Sequence, residues 1–127
     1  MNIYFVIAAT LAVLVGVIHS ILGEVLIFNK LRAGGLIPAL SASPLKARNI
    51  RIIWATWHLA SVFGFASAAI LFSLADREPP QSATTINALI IAFGLSGLLV
   101  LIATNGRHPG WFGLFAVAIF TFLGGFF

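Results

Sequence analysis

Long apolar runs alternate with short polar interruptions along the chain. The runs cover about 3–28, 50–75, 84–104 and 111–127. About 20 apolar residues cross the hydrocarbon core of a bilayer, so the first three runs are long enough and the fourth is at the short limit. None alternates with period two. In lipid only helices and closed barrels satisfy their own backbone hydrogen bonds. The pattern therefore predicts an all-α integral membrane four-helix bundle, a single domain over 1–127. The interruptions are read by their turn chemistry. Ser43-Pro44 is expected to cap the second helix and open its first turn. "DREPPQSATT", residues 76–85, breaks the chain with two prolines and offers Ser82 or Thr84 as the next cap. "NGRHPG", residues 105–110, is a turn with Asn-Gly as helix stop. The apolar, glycine-rich "GGLIPAL" within 29–43 is read as lying at the membrane surface or dipping back into it.

Composition supports the same class. Hydrophobic residues make up 61% and charged residues 8%, against about 25% charged in soluble domains. Mean hydropathy is +1.11. The net charge of +4 does not point to nucleic acid, because the basic residues flank apolar segments. The absence of cysteine removes disulfides, thiolate metal ligands and thioether haem attachment. No Lys or Arg precedes the first run, so that helix is expected to be retained rather than cleaved as a signal peptide.

Charge predicts orientation. Lys30, Arg32, Lys46, Arg48 and Arg51 lie between the first two spans and Arg107 between the last two; the opposite loop has Arg77 alone, flanked by Asp76 and Glu78. The positive-inside rule places both basic loops in the cytoplasm of a bacterial-type inner membrane, with both termini on the non-cytoplasmic side.

The candidate chemistry sits in one layer. His19 and Glu24 are near the end of the first span, His58 near the start of the second, and His108 in the last turn. Imidazole and carboxylate suit Zn, Fe or Mn, so His19, Glu24, His58 and His108 are the expected metal ligands. Arg51 and Arg107 are the expected binders of an anion or lipid headgroup. A b-type haem between His19 and His58 is the lesser cofactor alternative. Five residues at 100° each put His19 and Glu24 about 140° apart on their helix, so they cannot point along one line. Gly16, Ser20 and Glu24 form a row suited to close helix contact, and Arg51, Trp54, His58 and Ser61 share a face of the second helix.

These residues lead to a metal-binding membrane protein, catalytic on a lipid-like substrate. One alternative is a non-enzymatic accessory or oligomer-forming subunit, in which the polar residues hold helices together and the small-residue rows pack against partners. The expected partners are membrane lipids and a second copy or a larger membrane complex. A proton-coupled transporter using Glu24 is a further alternative, weakened by the lack of ionisable residues in the distal half of the spans.

Overall fold

The computed structural model describes residues 1–76 and 82–127. Arg77 and Glu78 of the acidic–basic loop lie outside the described residues. The fold is all-helical: α1 spans Ile3–Leu26, α2 Ala47–Ala75, α3 Ala83–Ala103 and α4 Gly110–Phe126. A single 3-10 turn, Phe28–Leu31, follows α1. Three helices, α1 to α3, are long and apolar enough to cross a membrane, and α4 is a shorter apolar helix. Within the chain, only 28%, 28% and 22% of the most apolar windows of α1, α2 and α3 are buried. The rest of those surfaces is left for hydrocarbon or a neighbouring protein, as in a helical membrane protein.

The described residues fall into two compact units. One comprises Met1–Val15 and Gly64–Phe127, the other Gly16–Phe63. The first is built from the start of α1, the end of α2, and α3 and α4. Its core joins Phe5, Ala8, Ala9 and Ala12 of α1 to Ala68, Leu71 and Leu74 of α2, Ile86, Leu89 and Phe93 of α3, and Val117 and Ala118 of α4. Alanine lets helix backbones approach closely, which is how packing is gained where lipid supplies no hydrophobic drive. Gly124 follows the same logic: a Cβ there would lie 2.8 Å from the Phe5 ring.

Asn2 ties three chain segments of this unit together. Its Oδ1 accepts from the Tyr4 N–H at 3.0 Å, capping α1. Its amide nitrogen donates to the Gly124 carbonyl at 2.9 Å, and its backbone N–H to the Ala75 carbonyl at 2.8 Å. Ser82 caps α3 through Thr85, as its position predicts. The expected Asn-Gly stop is a Schellman arrangement. Asn105 takes the left-handed conformation at φ 49°, Gly106 N–H reaches the Leu101 carbonyl at 2.8 Å and Asn105 N–H the Ile102 carbonyl at 3.2 Å.

The second unit holds the end of α1, the 3-10 turn, the connecting segment and the start of α2. Ala39 and Leu40 N–H groups both reach the Leu31 carbonyl at 3.0 Å, closing the intervening segment as a compact loop. Leu36 and Ile37 stand exposed on it, whereas Pro38 is fully buried. Ser43-Pro44 does not start α2. It occupies a tight turn closed by paired backbone bonds between Ala42 and Leu45. The Leu45 N–H is thereby engaged backwards, and regular helix begins only at Ala47.

Candidate functional site

The polar residues of the second unit form one connected cluster across the α1 and α2 segments. On α2, Trp54, His58 and Ser61 recur at helical spacing and so share a face. On α1, Ser20 and Glu24 are one turn apart. The two rows meet. Glu24 Oε1 accepts from Trp54 Nε1 at 2.7 Å and from His58 Nε2 at 2.9 Å. Glu24 Oε2 pairs with the Arg32 guanidinium. His58 Nδ1 lies 2.9 Å from Ser20 Oγ, and Ser20 Oγ lies 2.8 Å from Ser61 Oγ. Arg32 Nε also donates to the Leu36 carbonyl at 2.7 Å, so one arginine links the loop to the carboxylate.

Aromatic rings fix the imidazole. Trp54 meets His58 edge-on with centroids 5.1 Å apart, and Phe28, buried in the 3-10 turn, lies 6.1 Å from it. The side chains of His58, Glu24 and Arg32 remain 25%, 27% and 20% exposed, so the site is held yet reachable. Among the described residues, no buried side-chain nitrogen or oxygen lacks a hydrogen-bond partner. Ser61, only 3% exposed, is satisfied through Ser20.

Ser20 has one proton and two neighbours that can take it. With Nε2–H directed at the carboxylate, a neutral His58 offers a lone pair at Nδ1 and Ser20 donates to it. A doubly protonated His58 donates from Nδ1 instead, and Ser20 turns its proton to Ser61. Carboxylate, imidazole and hydroxyl thus stand in the order in which a carboxylate orients an imidazole base and the base serves a hydroxyl.

His19 takes a separate place. Its Nε2–H donates to the Trp57 carbonyl at 3.2 Å, while Trp57 Nε1 donates back to the His19 carbonyl at 3.0 Å. The rings lie parallel, with centroids 4.4 Å apart and planes within 7°. Gly23 makes room for this: a Cβ there would sit 2.7 Å from Trp57 Cδ1 and overlap the indole. The 140° separation of His19 and Glu24 on α1 is resolved by two adjacent α2 residues, Trp57 for one and His58 for the other.

Of the expected ligands, Glu24 and His58 are in direct contact, and His19 is bound to Trp57. His108 belongs to the other unit, where its Nδ1 accepts from the Gly110 N–H at 3.1 Å at the start of α4. Among the described residues no group of three or more His, Cys, Asp or Glu side chains is arranged to hold a metal ion. Arg51 is exposed one turn before Trp54, and Arg107 is exposed in the α3–α4 turn. Sequence reasoning reads Arg32 only as a topology charge and places Trp54 on the shared face of the second helix without assigning it a bond to Glu24. The legible signal was the pairing of Ser20/Glu24 spacing on α1 with Trp54/His58/Ser61 spacing on α2. Comparison with protein-family models, curated proteins and solved structures finds no match to this chain.

Proposed function

We propose that the protein is a membrane enzyme that transfers or hydrolyses the acyl group of a lipid-like ester at the cytoplasmic face. Ser20 is its nucleophile, His58 its general base and Glu24 the carboxylate that orients the base. One observation carries this reading: the unbroken order Glu24–His58–Ser20, at 2.9 Å for each link. In the proposed step Ser20 Oγ attacks the ester carbonyl while its proton moves to His58 Nδ1. Glu24 stabilises the imidazolium through Nε2–H. The carbon–oxygen bond to the alcohol then breaks, His58 returns the proton to that alcohol, and the acyl group rests as an ester on Ser20. Water or a second alcohol, deprotonated by the same imidazole, releases it. Ser20 lies within a helix, where backbone N–H groups are already bonded. Oxyanion stabilisation therefore falls to side chains, and the Ser61 hydroxyl stands beside the attacking oxygen.

A second reading is favoured by the complete pairing of the cluster. In it, the same bonds are a clamp between α1 and α2 in a non-enzymatic membrane subunit. The test is a fluorophosphonate probe on protein purified in mild detergent without chelators, beside metal analysis. Covalent label on Ser20, absent from Ser20→Ala and His58→Ala, supports the enzyme. No label on the wild type, or label indifferent to His58→Ala, sinks it in favour of the clamp. Stoichiometric zinc, iron or manganese that disappears in His58→Ala would instead make Glu24 and His58 two ligands of a metal site.

A further inference from the structure

Above the relay, the polar face of α2 continues as two arginines. Arg48, Arg51, Trp54, His58 and Ser61 follow one another at three- and four-residue steps, a single stripe along the helix. The last three members are bound to α1 residues. Arg48 and Arg51 are exposed and, among the described residues, make no ion pair or hydrogen bond through their side chains. Arg32, by contrast, is committed to Glu24 and Leu36. The residues Gly16–Phe63 carry five Lys or Arg and one carboxylate, a surplus of four, which equals the net charge of the whole chain.

We infer that Arg48 and Arg51 form a binding site for the phosphate of an anionic phospholipid, which delivers the lipid's ester linkages to the Glu24–His58–Ser20 relay. The inference rests on the enzymatic reading for the second half of that statement only; the phosphate site stands on the stripe. Arginine suits the role because its planar fork binds phosphate oxygens in pairs. The spacing suits it too. Arg51 and His58 are seven residues apart, roughly 10 Å along the helix axis. A flexible arginine side chain and the glycerol of a phospholipid bridge such an interval, with the phosphate outermost and the acyl esters deeper. The surface beside the stripe, deeper along α2, is apolar: Leu59 and Val62 are 48% and 57% exposed, a face for the acyl chains.

A diffuse attraction between basic residues and an anionic leaflet predicts something different, and charge-matched variants separate the two. Binding is measured in nanodiscs of phosphatidylcholine doped with phosphatidylglycerol, and by native mass spectrometry of retained lipid. The double variant Arg48→Gln/Arg51→Gln is compared with Lys30→Gln/Lys46→Gln, which removes the same charge off the stripe. The site predicts saturable retention of phosphatidylglycerol, about ten-fold or more weaker in the arginine pair and near wild type in the lysine pair. Equal loss in both pairs, or equal retention of phosphatidylcholine, overturns it. Competition by soluble glycerol phosphate at the same concentration would show a free-phosphate site and overturn the lipid assignment. His58→Ala is expected to keep lipid binding while losing probe label. Failure of the relay and failure of the phosphate site are thereby read separately.

Discussion

His58 is the residue on which the cluster turns, because its two nitrogens face different partners. Nε2 faces a carboxylate, which only accepts, so the neutral ring must carry its proton there and leave Nδ1 open to Ser20. Nitrogen-15 NMR of histidine-labelled protein is expected to show neutral His58 as the Nε2–H tautomer, with Glu24→Gln introducing the other form. A dominant Nδ1–H tautomer in the wild type would reverse the order of the relay and refute it. Gly23 makes a steric demand of equal sharpness. Gly23→Ala places a methyl group inside the volume of the Trp57 indole. The indole must move, and its bond to the His19 carbonyl is lost. Overpacking of this kind costs about 1–3 kcal/mol, read as a lower unfolding midpoint in mild detergent. At this scale the sequence was partly legible. The shared face of Trp54, His58 and Ser61 followed from periodicity. The choice of Arg32 as Glu24's partner did not, because the fold of the loop that returns Arg32 to α1 is not encoded in helical spacing.

At the scale of elements, caps and stops carry the boundaries. Asn2 caps α1 and also holds the carbonyls of Ala75 and Gly124, so its contribution exceeds that of an isolated cap. Asn2→Ala removes the side-chain bonds and keeps the backbone one. A loss of about 1–2 kcal/mol is expected, with a larger effect than Ser82→Ala, whose single cap bond at 3.3 Å is exposed. Chemical denaturation of the two variants in the same micelle makes the comparison; equal losses would mean that the Asn2 bond to Gly124 adds nothing. The α3 stop at Asn105-Gly106 was readable because a left-handed residue needs Asn or Gly whatever surrounds it. The α2 start was not. Ser43-Pro44 has the chemistry of a helix start and of a tight turn alike, and the Ala42–Leu45 pairing selected the turn.

For the whole molecule, hydropathy is the dominant fact. Three helices are long and apolar enough to cross a membrane and are mostly unburied within the chain, the pattern of a helical membrane protein. The basic loop between α1 and α2 is expected on the cytoplasmic side. The lack of native cysteine makes this directly measurable. In intact cells an impermeant maleimide is expected to label Asp76→Cys and to reach Ala33→Cys only after permeabilisation. Both positions are exposed. Labelling in the opposite order would invert the topology and place the Glu24–His58 site on the outer face.

The sequence by itself determined the helices, their membrane setting and most of their ends, because hydrophobic period, turn chemistry and composition act locally or on average. It also brought forward Glu24 and His58, since ionisable groups among apolar residues are costly enough to stand out. Only the tertiary structure decided which groups touch. It joined Glu24 to Trp54, Arg32 and His58, extended the path to Ser20 and Ser61, and turned His19 to Trp57. Those choices depend on how far two helices are rotated about their axes and on where a loop returns. Helix rotation and loop path are settled by packing at sites such as Gly23 and Phe28, whose consequences no single run of residues carries.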